Sequence, residues 1–207
     1  MILADVGNSY VHIWDDGRIE HLRVMEAIEK YAAEVVCYIN VNTTYEQTLA
    51  TLEEWSDISQ HCVLKGAYEG MGIDRKALCL SHLDGIFVDA GSAITVDKVV
   101  EGVYQGGYIL PGIHAYHKAY AEISPVLDVV LDRKVALEIL PKTTRESVSF
   151  GTIAPMIASI EKIMGDLPVY CTGGDGMWLS QYFEQAVFDE TLLFQGMIKM
   201  IEKGKIC

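Results

Sequence analysis

A chain of 207 residues, half of them apolar and 22% charged, suffices for one large domain or two small ones sharing a cleft, and its composition excludes a disordered or fibrous protein. Its 29 acidic residues outnumber 16 basic ones, a formal charge of -13. This argues against nucleic acid or an anionic membrane as partner, since both call for basic surface. Five scattered cysteines (Cys37, Cys62, Cys79, Cys171, Cys207) form no Cys-x-x-Cys pair and no zinc spacing, which points to reduced thiols and a cytoplasmic location. The start reaches Asp5 without the basic run and apolar stretch of a signal peptide, and no apolar run is long enough to span a membrane.

Ile2 to Ala4 reads as a short strand that runs into Asp5-Val6-Gly7-Asn8-Ser9. It resumes over Tyr10 to Trp14 and turns back at Asp15-Asp16-Gly17, so a hairpin opens the chain. Helical spacing follows over Val24 to Ala33 and over Thr44 to Trp55, the second with Thr44 and Gln47 as a capping pair. Val35 to Asn40 between them reads as a buried strand. Ile86 to Val88 then repeats the opening: strand, Asp89-Ala90-Gly91-Ser92, strand over Ile94 to Val96, and a turn at Glu101-Gly102. Two such strand, Asp-x-Gly turn, strand units suggest two similar half-domains, although two unrelated hairpins would show the same letters. Helices are expected over Gly112 to Ile123, over Thr144 to Met164 with a bend at Pro155, over Met177 to Gln185 and over Glu190 to Lys203. Val169 to Cys171 reads as a strand feeding Thr172-Gly173-Gly174-Asp175-Gly176.

The small residues Gly7, Asn8 and Ser9 let backbone N–H groups approach a phosphate, while Asp5 at the strand end can hold a metal-bound water. The second copy offers Asp89, Ser92 and Thr95 in the same setting, and two facing copies would clamp one polyphosphate. The glycines at 173, 174 and 176 let a flat ring or ribose lie on backbone at a helix start; alone, they also make a tight turn. In Gly70-Met71-Gly72-Ile73-Asp74-Arg75, Asp74 either caps the following helix or accepts a hydroxyl proton beside an arginine that binds an anionic group. P-loop, Rossmann, esterase-elbow and zincin motifs are absent. His114 and His117 lie three apart on a helix without a third ligand and receive no function.

Taken in order, these segments resemble the type III pantothenate kinases, a branch of the acetate and sugar kinase, heat-shock ATPase and actin superfamily. The likeness rests on Asp5-Val6-Gly7-Asn8-Ser9, Gly72-Ile73-Asp74-Arg75, Asp89 to Asp97, Gly106-Gly107-Tyr108-Ile109-Leu110-Pro111-Gly112, Thr144 with Glu146 and Gly151, and Thr172-Gly173-Gly174-Asp175. It implies an α/β fold of two ribonuclease-H-like (actin-like ATPase) half-domains, residues 1–83 and 84–207, with mixed sheets flanked by helices around a nucleotide cleft. The implied reaction is ATP-dependent phosphorylation of pantothenate to 4'-phosphopantothenate, the first step of coenzyme A biosynthesis. By the same resemblance Asp5, Val6, Gly7, Asn8, Ser9, Tyr10, Val11, His12 and Ser92 bind ATP, which brings Mg2+. Asp89 holds a monovalent cation, K+ or NH4+, and Asp74 is the general base. Tyr68, Gly72, Ile73, Asp74 and Arg75 hold pantothenate, with Thr144 contributed across the interface of a homodimer. Serine replaces the family's usual threonine at Ser9 and Ser92, and the lead-in from Tyr68 to Gly72 is shortened. Another small-molecule kinase of the superfamily and a non-catalytic nucleotide-binding regulator are the competing readings.

Overall fold

The computed structural model describes residues 1–205. In chain order its strands are β1 (Ile2–Val6), β2 (Val11–Asp15), β3 (Arg18–Leu22), β4 (Val36–Asn40), β5 (Trp55–Asp57), β6 (Gly85–Ala90), β7 (Ala93–Val100), β8 (Val103–Pro111), β9 (Val169–Thr172) and β10 (Ala186–Phe188). The helices are α1 (Val24–Tyr31), α2 (Glu46–Leu49), α3 (Ile73–Leu80), α4 (Ile113–Ile123), α5 (Thr144–Met164), α6 (Gly176–Ser180) and α7 (Leu192–Gly204). They form two compact units. The first holds Met1–Asp84, Val99–Gly106 and a C-terminal segment opening at Asp189; the second holds Gly85–Lys98 and Gly107–Phe188.

The sheet of the first unit has the order β3-β2-β1-β4-β5. The three strands β1, β2 and β3 pair antiparallel, and β4 and β5 continue in parallel. Asp16 and Gly17 both have positive φ (45° and 93°), the backbone that a two-residue hairpin turn demands. β1 and β4 are buried on both faces, so they read as unbroken apolar runs. Alternate residues go to opposite cores. Ala4, Val6, Val36 and Tyr38 pack with α1, which buries Val24, Ala27, Ile28 and Tyr31 at helical spacing. Leu3, Cys37 and Ile39 pack with Ala77 of α3 and with Leu193, Phe194 and Met197 of α7.

The sheet of the second unit runs β10-β9-β6-β7-β8. Read from β8, this is the order of the first unit, with β6 in the place of β1 and β9 and β10 again parallel to it. The repeated order bears out two ribonuclease-H-like halves with mixed sheets flanked by helices. Its core sets Ile86, Val88, Ile94 and Val96 against Ile153, Met156 and Ile160 of α5. That 21-residue helix opens on a reciprocal cap: Thr143 Oγ1 accepts from the Glu146 backbone N–H at 3.3 Å and donates to Glu146 Oε2 at 2.9 Å. Pro155 lies inside it, and the helix continues through that position without interruption.

Four expectations are corrected. Thr44 to Trp55 is not one helix: α2 has four residues and Trp55 opens β5, pairing in parallel with Val36. The Thr44 and Gln47 cap does not form, because the Thr44 backbone N–H goes to Asn42 Oδ1 at 3.0 Å. The helix expected to Gln185 stops at Ser180, and three-residue turns carry the spacing onward through Tyr182 and Phe183. Cys62 and Cys171 are free thiols, but Cys37 is disulfide-bonded, against the expectation of reduced thiols throughout; scattered spacing does not exclude a pairing that folding brings about. Cys207 lies outside the described residues. Among the described residues no helix is long and apolar enough to cross a membrane.

Close approach of α3 and α7 depends on Gly196, where an added Cβ would fall on the carbonyl oxygen of Ala77 and 2.7 Å from its carbon. Gly196→Ala is expected to cost about 3 kcal/mol through forced separation of the helices. A urea midpoint lowered relative to the parent protein is the measurement.

Candidate functional site

The first unit builds two groups of the expected residues. At the end of β1, Asp5 is buried, with His12 of β2 and Ile39 of β4 as its register partners. The chain turns at once, the Gly7 N–H donating to the Tyr10 carbonyl at 3.0 Å. A Cβ on Gly7 would sit 3.0 Å from that same oxygen, so glycine suits the turn. Asn8, Ser9 and Tyr10 are exposed at this end of the sheet, whereas the Val6 and Val11 side chains are fully buried. Neither valine side chain offers exposed surface to a ligand. Asn42, absent from the sequence reading, holds the turn from beneath: its Nδ2 donates to the carbonyls of Gly7 (3.1 Å) and Asn8 (3.3 Å). Its own backbone N–H goes to Asn40 Oδ1 at 2.8 Å. The Asn-x-Asn run closing β4 was the available signal.

The second group lies at the start of α3. Gly72, not Asp74, is the N-cap residue, and Asp74 is the second residue of the helix. Asp74 is half-buried, and its Oδ1 accepts from the Arg75 N–H at 2.8 Å. Gly72 leaves room for this carboxylate, since a Cβ there would sit 2.5 Å from Asp74 Oδ1. The Arg75 side chain is buried and donates to the Tyr68 hydroxyl at 2.9 Å and to the Tyr104 hydroxyl at 3.5 Å. The structure thus brings Tyr68, Gly72, Ile73, Asp74 and Arg75 together despite the short lead-in. It adds Tyr104, which no motif marked. The loop is fastened where Tyr104 N–H donates to the Lys65 carbonyl at 2.8 Å, across Gly66 with φ of 83°.

In the second unit three glycine turns converge on the end of β6. The Gly91 N–H donates to the Ala93 carbonyl at 3.0 Å, and the Gly112 N–H to the Ser92 carbonyl at 3.1 Å. Gly173, with φ of 84°, lies against the Asp89 carboxylate; its missing Cβ would be 2.8 Å from the Ala90 carbonyl. The Asp175 N–H donates to that carbonyl at 2.9 Å. Asp89 is half-buried and Ser92 exposed. Arg133, also missed by sequence reasoning, reaches Asp175 Oδ1 at 2.6 Å and lies 5.2 Å over the Trp178 ring. Thr144 is exposed at the first turn of α5, beside a cavity of about 540 Å³ lined also by Tyr120, Leu127, Lys142 and Ser147.

Burial pushes the Cys62 thiol up to about 11 and the Cys171 thiol to about 12, so neither is a ready nucleophile. Among the described residues no group of three or more His, Cys, Asp or Glu side chains could hold a metal ion. His117 Nε2 sits 3.2 Å from Asp128 Oδ1, a surface pairing that leaves the absence of a role for His114 and His117 untouched.

A family model described as Type III pantothenate kinase matches residues 48–166. The chain is 40% identical over 204 residues to the Type III pantothenate kinase of Helicobacter hepaticus, covering 98% of this chain and 99% of that one. Identity to the Campylobacter jejuni protein of the same name is 36% over 204 residues, covering 99% and 98%. Among solved structures, a Campylobacter jejuni protein described as a Baf family transcriptional activator is similar at a TM-score of 0.91 and 34% identity, with 99% of each chain covered. A Sinorhizobium meliloti protein described as a 2-dehydro-3-deoxygalactonokinase reaches a TM-score of 0.60 at 10% identity, with 98% and 96% covered, which shows a shared fold alone.

Burial first, and then the neighbouring His21 ring, lower the pKa of His12 from 6.5 to about 4. The unfolded chain therefore takes up this proton before the folded one does. The His12 contribution to stability is complete above pH 6.5 and is lost as pH falls toward 4, by up to about 3 kcal/mol. Urea midpoints at pH 7 and pH 5 should fall more for the parent protein than for His12→Gln.

Proposed function

Because the chain belongs to the type III pantothenate kinase family, we propose that it transfers the γ-phosphoryl group of ATP to the primary hydroxyl of pantothenate, giving 4'-phosphopantothenate in the first step of coenzyme A biosynthesis. The observation that carries the reading to this chain is the start of α3. There a half-buried carboxylate, Asp74, is oriented by a backbone N–H, with the buried guanidinium of Arg75 beside it.

Phosphoryl transfer asks a protein mainly for positioning and charge neutralisation. Asp74 accepts the hydroxyl proton as the oxygen–phosphorus bond forms, and Arg75, steadied by Tyr68 and Tyr104, orients the acidic substrate through its carboxylate. Gly72 and Ile73 line the same turn. The segment from Asp5 to His12, held by Asn42, takes the ATP phosphates, and Ser92 adds a hydroxyl contact.

Asp5, a buried carboxylate at a strand end, fits the one-carboxylate ligation that Mg2+ accepts when it arrives with ATP. The Asp89 carboxylate and the Ala90 carbonyl at the end of β6 are oxygen donors of the kind that suits a hard monovalent cation such as K+ or NH4+. When bound, these cations neutralise phosphate charge. Thr144 reaches pantothenate from the other subunit of a homodimer. Support for that interface comes from Ile123, Val126, Val130, Ile139 and Leu140, all exposed on the second unit near the Thr144 cavity in sequence. The charge of -13 supports a partner list without nucleic acid or membrane.

Purified protein with Mg-ATP should release ADP at least about 10-fold faster when pantothenate is present, and faster in K+ or NH4+ than in Na+. Pantothenate-independent release by folded protein that binds ATP would contradict the substrate; equal rates in Na+ would remove the cation from Asp89.

A further inference from the structure

The β2–β3 hairpin carries a pair of imidazoles whose mutual geometry the phosphoryl transfer does not require. His12 and His21 are register partners on adjacent antiparallel strands, so both side chains leave the same face of the sheet. Their Nδ1 atoms are 2.5 Å apart and the rings meet edge to face with centroids 4.8 Å apart. One ring donates and the other accepts, which means that two ring lone pairs converge on a single proton. His21 is exposed and His12 half-buried, leaving the outer side of the pair open to water.

Convergent imidazole nitrogens can bind an ion in place of that proton. Imidazole nitrogens bind a divalent transition metal at about 2.0–2.1 Å, and two ligands at right-angled or tetrahedral positions are then about 2.9–3.4 Å apart. Reaching that separation requires the Nδ1 atoms to part by less than about 1 Å, a small rotation of the exposed His21 ring. The strand pairing already holds both backbones in register, so little further ordering is needed.

We propose that His12 and His21 form a two-histidine site for a borderline transition-metal ion, Zn2+, Ni2+ or Cu2+, bound through both Nδ1 atoms with water completing its coordination. Imidazole selects this class over Mg2+ and K+. The site therefore differs in chemistry from the oxygen positions at Asp5 and Asp89, and it does not depend on which substrate the chain phosphorylates.

The full chain, stripped of metal with a chelator, is titrated with ZnCl2 or NiCl2 by calorimetry, and with CuSO4 by electron paramagnetic resonance. Expected are one site of micromolar affinity and a Cu2+ spectrum with hyperfine splitting from two nitrogens. His21→Ala, its fold checked by circular dichroism, should weaken the affinity at least 10-fold, and His21→Cys should restore Zn2+ binding. His117→Ala, which removes the imidazole paired with Asp128, serves as the control and should change nothing. Binding only at millimolar metal, affinity unchanged in His21→Ala, or affinity lost in His117→Ala instead would each overturn the site.

Discussion

Each sheet places a carboxylate at the end of its central strand and then doubles the chain back within a few residues, and the other features of the site follow from that constraint. Asp5 and Asp89 occupy equivalent strands in two sheets of the same order. In both units a short backbone bond closes the turn, from Gly7 N–H to the Tyr10 carbonyl and from Gly91 N–H to the Ala93 carbonyl. A strand buried on both faces has no freedom to shift register, so the carboxylate position is fixed by the packing behind it. In the first unit Leu3 and Ala4 point into opposite cores immediately before Asp5.

Glycine then serves different purposes at different positions. Gly173 is needed for a positive φ and for clearance from Asp89 and Ala90, which lets the β9 turn approach the end of β6. Gly72 has ordinary helical-cap backbone and is needed only because the Asp74 carboxylate folds over it. Gly196 belongs to neither site and sets the distance between two helices. These are separate physical demands, and the letter G in a motif does not distinguish among them.

Much of this was legible in the sequence because the two turns repeat and because β1, β4 and β6 are continuous apolar runs. The ordered motifs led to the right family, and helix α5 was read with its bounds intact because its cap and its long apolar spacing agree. The region from Thr44 to Trp55 failed for a physical reason: Leu49, Leu52 and Trp55 lie three residues apart, yet the last belongs to a parallel edge strand whose pairing is non-local. Asn42, Tyr104 and Arg133 were missed for a related reason. Each acts through partners 29 to 42 residues distant in sequence, such as Gly7, Arg75 and Asp175, and no local pattern records such a bond.

If Asp74 is the proton acceptor, its contribution belongs to the transition state and not to ground-state binding. The most direct measurement is kcat of Asp74→Asn beside its calorimetric affinity for pantothenate, since the amide keeps the shape of the carboxylate and removes its basicity. A kcat lowered by about 10²-fold or more, with affinity within a few-fold of the parent protein, is the predicted result. A kcat within a few-fold of the parent would contradict the role of Asp74 and with it the proposed chemistry of the α3 turn.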